Sequence, residues 1–178
     1  MSATQWFFHL ARNNAWANER LYRACGELSH EELTRTRTSF FPTILSTLAH
    51  IVVVDLYYVD GLERGGRGSA IWEEEASFDR FERVRVAQRE VDSRLLAFCA
   101  SLDDVGLEEQ VGLERRTGIV TDRVGDILMH LFQHQLHHRG QAHAMLSGTR
   151  VAPPQLDEYF LSADREVADR ELAGAGHG

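Results

Sequence analysis

Cysteine is scarce in this chain, and its scarcity limits the chemistry available to the protein. The 178 residues include two cysteines, Cys25 and Cys99, and each lies in an apolar pattern typical of a helix. We therefore expect two reduced thiols in the core of a cytoplasmic protein rather than a disulfide. No Cys-x-x-Cys pair is present, so a metal site must use histidine, carboxylate or water as ligands.

Long apolar runs and basic clusters are also missing from the sequence. Apolar runs such as Ile51 to Val54 are much shorter than the roughly 20 residues that a helix needs to cross a membrane. The N-terminal segment is amphipathic and carries charged residues early, so we expect no signal peptide. The formal net charge is −8, and no basic block of the kind that follows a nucleic-acid backbone is present. We therefore expect neither a membrane nor a nucleic acid as a partner.

Apolar residues recur at helical spacing in four long segments, which predicts an all-α four-helix bundle. The segments cover about residues 4–28, 43–64, 78–101 and 122–147. Residues that favour helix ends support these limits: Thr4, Ser77 and either Thr121 or Asp122 as N-caps, Pro42 in a first turn, and Gly65, Gly66 and Gly148 after a last turn. A capping box with Ser29 and Glu32 predicts a break and a short second helical turn.

The segments between the long helices differ in character. Residues 65–76 are rich in glycine and then in acidic residues, which predicts a loop and a long crossover connection between two helices. Residues 103–120 contain three glycines and alternating residue types, which predicts a loop with a small hairpin.

The C-terminal segment is predicted to add little to the core. The sequence LDEYFLSA at 156–163 predicts a short C-terminal helix that packs back on the bundle. Beyond it the chain is polar and ends in AGAGHG, which predicts a frayed tail over 163–178. No repeat or linker divides the sequence, so we expect a single domain over 1–178 with a core at about 4–162.

Histidines are concentrated in the fourth predicted helix, where LMHLFQHQLHHRGQAHAML (128–146) holds five of the nine. His130, His134 and His138 recur at every fourth residue and therefore lie along one face of a helix. His50 lies near the middle of the second long helix and can reach His134 and His138 if these two helices face each other. Three imidazoles with open positions for water or substrate suit a catalytic zinc or nickel site. The alternative is a set of core histidines that hydrogen-bond to other groups.

Several neighbouring side chains have more than one interpretation. Arg139 lies among apolar residues and is predicted to pair with a carboxylate, for which Asp55 is a candidate. Gln141, three residues after His138, either orients a metal-bound water or a substrate, or is a glutamine that serves only packing or the surface. His130 is a satisfied polar group at the edge of the bundle, a fourth ligand or a proton shuttle.

The segment HLFQHQLHHRGQ at 130–141 resembles the H-x-x-x-H-R-G-Q signature of the DinB family, the DinB/YfiT-like metal-binding four-helix bundles. Three further segments resemble family segments in the same order: NNAWANERLY (13–22), FFPTILSTLAHIVVVD (40–55) and APPQLDEYF (152–160). The resemblance covers roughly residues 5–162. It implies an antiparallel bundle with a long connection, often dimeric, and a divalent metal at the positions that match His50, His134 and His138.

The resemblance also suggests a class of reaction. Relatives in the wider superfamily include bacillithiol S-transferases and mycothiol-dependent maleylpyruvate isomerase, in which the metal is assigned the activation of a thiol as thiolate. We therefore expect a homodimeric, metal-dependent thiol S-transferase or hydrolase that acts on a small molecule and uses a low-molecular-weight thiol. The alternative is a non-catalytic metal-binding or stress-response protein with a structural metal.

Overall fold

Long helices make up most of the structure, a computed structural model that describes residues 1–175. In chain order the elements are α1 (Ala3–Cys25), α2 (His30–Thr34), α3 (Ile44–Leu62), a 3₁₀-helix (Gly68–Ser77), α4 (Phe81–Ser101), α5 (Asp104–Glu108), β1 (Gln110–Arg115), β2 (Gly118–Arg123), α6 (Val124–Leu146) and α7 (Ser162–Gly174). The helices α1, α3, α4 and α6 form the predicted four-helix bundle, so the predicted all-α fold class is confirmed.

Side-chain caps determine where the first helices begin. Ser2, rather than the predicted Thr4, caps α1, and the predicted capping box at Ser29 is confirmed at the start of α2. Thr43 caps α3 and accepts a hydrogen bond from the backbone N–H of the third helical residue. Pro42 therefore lies just before the helix rather than in its first turn.

The predicted caps of the last two long helices are wrong because those residues belong to other elements. Ser77 ends the 3₁₀-helix, and α4 begins after Arg80. Thr121 and Asp122 lie in β2, which runs directly into α6 at Arg123. Neither arginine caps its helix with a side-chain hydrogen bond, so packing rather than capping chemistry locates these two starts.

The order of helices around the bundle differs from their order in the chain. Both α1 and α3 pack against α4 and α6, so α1 and α3 lie diagonally opposite each other. Asp55 on α3 contacts Gln88 on α4, and Glu63, directly after the end of α3, contacts Arg94 on α4, so these two helices run in the same direction. The chain must therefore return along the bundle between α3 and α4.

Residues 63–80 make this return, which is the predicted crossover connection. The predicted loop at 65–76 is largely a 3₁₀-helix, so that part of the prediction is corrected. The side chain of Ile71 is fully buried in the bundle core, so this segment packs against the bundle instead of forming a free loop. The backbone N–H of Arg67 donates to Oδ2 of Asp60 at 2.9 Å, which fastens the beginning of the connection to α3.

A two-stranded antiparallel hairpin lies in the connection from α4 to α6, which confirms the predicted hairpin. The buried side chains of Val111 and Leu113 face the bundle, whereas every residue of β2 is exposed. The hydroxyl of Tyr57 donates to the carbonyl oxygen of Glu114 at 2.6 Å, so the end of β1 is held against α3. The tip of the hairpin is Arg115 paired with Gly118.

The C-terminal segment corrects the sequence prediction. The short helix predicted at 156–163 does not form; α7 begins at Ser162 and runs for 13 residues. The prediction of a frayed tail is therefore wrong as far as residue 174, and the last predicted tail residues, 176–178, lie outside the described residues. Two apolar residues of α7, Ala168 and Leu172, are buried against the rest of the protein.

The contact between α7 and α1 forms a second apolar cluster, separate from the main core. Trp16, Tyr159 and Leu172 are nearly fully buried in it. The indole N–H of Trp16 donates to Glu171 at 2.8 Å, and the same carboxylate accepts from Arg20. One glutamate on α7 thus satisfies two donors of α1.

By length and composition alone, α3 is apolar enough to cross a membrane. Within the structure, 83% of that apolar window is buried inside the protein. Such burial is typical of the central helix of a bundle, which is apolar on all sides because other helices surround it.

Candidate metal centre

His50 on α3 and His134 and His138 on α6 lie together where these two helices face each other. One ring nitrogen from each histidine lies within 4.8 Å of those of the other two. Nε2 of His50 is 3.1 Å from Nε2 of His134. His138 is buried, and the other two rings are half-buried. The structure therefore positions the three predicted histidines to hold a metal ion.

The environment of these rings favours their neutral form. Burial, assisted by the neighbouring His138, lowers the pKa of His50 to about 4. Burial is also the largest cause that lowers the pKa of His134 to about 3, followed by the nearby His138 and His50. Burial lowers the pKa of His138 as well. Neutral imidazole is the form that binds zinc and nickel, so the donor set fits a divalent ion of this class.

Gln141 determines the orientation of His138. Its Oε1 lies 2.8 Å from Nδ1 of His138, so the ring can donate from Nδ1 and leave Nε2 free for a ligand. Its Nε2 lies 3.1 Å from Nε2 of His137. The contact that the structure shows for Gln141 is with the imidazole of His138, and its predicted contact with a metal-bound water or a substrate stays a prediction. Nδ1 of His134, in contrast, is buried and has no hydrogen-bond partner in residues 1–175.

Phe41 covers one side of the cluster, a role that the sequence did not reveal. Its ring centroid lies 4.3 Å from that of His50 and 5.5 Å from that of His138. An aromatic residue in a loop directly before the capped start of α3 is the signal that could have identified it. This apolar cover contributes to the burial that keeps the imidazoles neutral.

His130 lies one helical turn from His134 but outside the cluster. Its ring centroid is 6.3 Å from that of His134 and 5.1 Å from that of Tyr58, and its side chain is exposed. The arrangement does not support the interpretation of His130 as a fourth ligand. It places the ring at the edge of the bundle, which was one of the three positions and roles considered for His130.

Arg139 is buried behind the cluster, and its predicted pairing with Asp55 is wrong. Its Nη1 donates to Oδ1 of Asn14 at 2.7 Å and to Oδ1 of Asn18 at 2.9 Å. Nδ2 of each asparagine donates in turn to the carboxylate of Asp92 on α4. Burial lowers the pKa of Arg139 to about 10, and the charges of Asp92 and Asp55 oppose that shift. Arg139 is thus connected to a carboxylate through two amides.

Asp55 lies in the same buried layer and has other partners. Its Oδ2 accepts hydrogen bonds from Gln88, at 2.8 Å, and from Gln135 on α6. Burial, followed by the charge of Asp92, raises the pKa of Asp55 well above its usual range. Gln135 directly follows His134 in the chain. Asp55 therefore hydrogen-bonds to α6, the helix that carries His134 and His138, and does not contact the histidine cluster itself.

The family model described as DinB family matches residues 1–169. The chain belongs to the DinB family. It is 25% identical over 168 residues to "Protein DinB" of Bacillus subtilis (strain 168), which covers 90% of this chain and 97% of that protein. It is also 25% identical over 129 residues to "Uncharacterized protein YizA" of the same organism, which covers 72% of this chain and 79% of that protein.

In this DinB-family protein, segments far apart in the chain meet in one buried polar layer. Residues 13–22 supply Asn14 and Asn18, and residues 130–141 supply Arg139. Both segments resemble segments of the family, but the sequence alone did not single out the two asparagines. Their spacing of four residues on an otherwise apolar helix face is the signal that could have found them.

Proposed function

We propose that this protein is a metal-dependent enzyme that holds a zinc- or nickel-type ion on His50, His134 and His138. The proposed reaction is transfer of a thiol to a small electrophilic molecule, or hydrolysis of such a molecule. The observation that carries the proposal is the composition of the cluster: within residues 1–175, no fourth histidine, cysteine, aspartate or glutamate joins these three. Three protein ligands and a free position are typical of catalytic rather than structural zinc sites.

The chain prepares the cluster for such chemistry in three ways. Gln141 accepts a hydrogen bond from Nδ1 of His138 and leaves the other nitrogen available. Phe41 shields one side of the rings from water. The hydrogen bonds of Arg139 connect α6 to α1, which keeps His138 in place. A divalent ion held here would lower the pKa of a bound water or thiol and so provide a nucleophile near neutral pH.

Metal analysis of untagged protein, combined with activity assays, tests the proposal. We expect close to one ion per chain in the wild type and in His137→Ala, and a large loss of metal in His134→Ala. His137 is a matched control because it lies on the same helix, is exposed and does not belong to the cluster. We also expect the metal-loaded wild type to accelerate the reaction of a bacterial thiol with a haloaromatic compound, or the hydrolysis of an activated ester.

The assays also distinguish the alternative role. A protein that binds one ion per chain but shows no metal-dependent turnover in either assay would be a metal-binding or stress-response protein with a structural ion. A solved coordination geometry with every position filled by protein would lead to the same conclusion.

A further inference from the structure

The tip of the hairpin carries an arginine that is positioned by aromatic rings. Nη2 of Arg115 donates to the hydroxyl oxygen of Tyr58 at 2.7 Å. The guanidinium carbon lies 5.4 Å from the ring centroid of Tyr57 and 5.3 Å from that of Tyr58. Both tyrosines belong to α3 and are nearly fully buried. The cationic end of a long side chain is thus held in one place against a rigid helix.

The side chain of Arg115 is held in one place, but no anionic group of the described residues pairs with it. Within the described residues, no aspartate or glutamate forms an ion pair with it, and Asp122 acts on it only at longer range. On the same hairpin, Arg123 behaves differently, because it forms ion pairs with Glu108 and Asp126. A chain with 27 acidic and 19 basic residues could readily have supplied a carboxylate here. The remaining N–H groups of Arg115 are therefore available to a ligand.

The hydroxyl of Tyr58 adds a second donor beside the guanidinium. Because its oxygen accepts from Arg115, its own hydrogen must point elsewhere, and the described part of the chain offers it no hydrogen-bond acceptor. A guanidinium and a hydroxyl side by side match a carboxylate, which is planar, carries a single charge and accepts hydrogen bonds on two oxygens.

A row of rings connects this pair of donors to the three histidines. The ring of Tyr58 contacts that of His130, whose centroid is 6.3 Å from that of His134. Tyr58 follows His50 on α3 by eight residues, which corresponds to roughly 12 Å along the helix axis. A ligand that reaches both places is therefore elongated, with its reactive atom at the cluster and its charge at the hairpin.

We propose that Arg115 and Tyr58 form a subsite for a carboxylate of the ligand, an inference that rests on the proposed function of the three-histidine cluster. The carboxylate can belong to the thiol or to the electrophilic molecule. Either source uses the same chemistry at Arg115, so matched pairs of ligands must separate them.

Isothermal titration of zinc-loaded full-length protein with two ligand pairs tests the subsite. One pair is mercaptohexanoate and mercaptohexanol; the other is a chloronitrophenyl compound with a carboxylate arm and the same compound with a primary amide in its place. We expect the carboxylate member of one pair to bind about tenfold more tightly, because a charge-assisted hydrogen bond has that effect. The pair that shows the preference identifies the source of the carboxylate.

Variants at the two residues of the subsite provide the decisive comparison. Arg115→Gln should abolish the preference, and Tyr58→Phe should reduce it, while both variants keep the circular dichroism spectrum of the wild type. Arg116→Gln is the matched control, because it removes the same charge from the adjacent, exposed position. Equal binding within both pairs overturns the subsite, as does a preference that survives Arg115→Gln or disappears equally in Arg116→Gln.

Failure of the proposed function gives a different result. If zinc-free His134→Ala binds mercaptohexanol as tightly as the zinc-loaded wild type does, the thiol does not meet the ion and the proposed thiol transfer fails. The dependence of carboxylate binding on Arg115 still supports or overturns the subsite in that case.

Discussion

Arg139 on α6 and Asp92 on α4 are both buried and are connected through the side-chain amides of Asn14 and Asn18. Each amide accepts from the guanidinium with its oxygen and donates to the carboxylate with its nitrogen. The two charges are thus satisfied without a direct ion pair. Because Arg139 directly follows His138, the same hydrogen bonds connect a candidate ligand to α1 and α4.

Replacing Arg139 with methionine should strongly destabilise the protein. The change leaves the buried Asp92 without its balancing charge and removes the donor to two amide oxygens. We expect the free energy of unfolding to fall by about 3–5 kcal/mol, as measured by urea denaturation. Arg64→Gln is the control, because Arg64 pairs with Glu109 in an exposed position where the loss should stay below about 1 kcal/mol. Equal losses in the two variants would show that the buried hydrogen bonds of Arg139 stabilise the protein no more than an exposed ion pair does.

Gln141→Ala should weaken metal binding without preventing it. The variant removes the acceptor that orients Nδ1 of His138, and the loss of such a contact typically costs about 10- to 100-fold in affinity. Competition with a chromophoric chelator measures the change. His137→Ala removes the other partner of Gln141 and should bind metal as the wild type does. An unchanged affinity in Gln141→Ala would mean that packing alone orients His138.

Metal-free protein should lose stability in mild acid because of its histidine cluster. The folded pKa values of about 4 for His50 and about 3 for His134 lie below the value of about 6.5 in the unfolded chain. The unfolded state therefore binds more protons than the folded state. The stabilisation that the two neutral histidines contribute is complete above about pH 6.5 and is lost as the pH falls towards 4 and 3. Burial raises the pKa of Asp92 to about 6, which has the opposite effect. The stabilisation that Asp92 contributes is lost as the pH rises from about 4 to 6.

Comparison of the wild type with His134→Phe isolates the histidine contribution, since Asp92 is present in both. Urea unfolding near neutral pH and at about pH 5 should show a smaller acid-induced loss in the variant. Identical losses in the two proteins would show that His134 is no harder to protonate in the folded state than in the unfolded chain.

Leu172→Ala should destabilise the protein even though Leu172 lies in the segment that the sequence predicts to be frayed. The side chain is 2% exposed and packs beside Trp16. We expect a loss of about 2–3 kcal/mol in urea unfolding, the usual cost of removing a buried leucine side chain. Val167→Ala is the control on the same helix, because Val167 is 41% exposed and should change stability by less than about 0.5 kcal/mol. No difference between the two variants would mean that α7 does not dock on α1 in solution.

Local patterns explain what could be predicted from the sequence. Helical periodicity located the four long helices, and the spacing of His134 and His138 placed both on one helix face. The capping box at Ser29 was also predictable, because both partners lie within one helical turn. His50 could be added only by assuming that α3 and α6 face each other, an assumption that the family resemblance supported and the structure confirms.

Contacts between distant segments explain what could not be predicted. Arg139 lies 125 residues from Asn14, and nothing local distinguishes that partner from Asp55. Trp16 lies 155 residues from Glu171, so the docking of α7 depended on a surface that exists only once the bundle has formed. The sequence by itself determined the long helices and the pair of candidate ligands His134 and His138, because both follow from spacing along one chain segment, whereas His50 joined them only through the family resemblance. The tertiary structure alone decided the partners of Arg139, the cover by Phe41 and the position of Arg115, because each depends on how separate helices and loops pack.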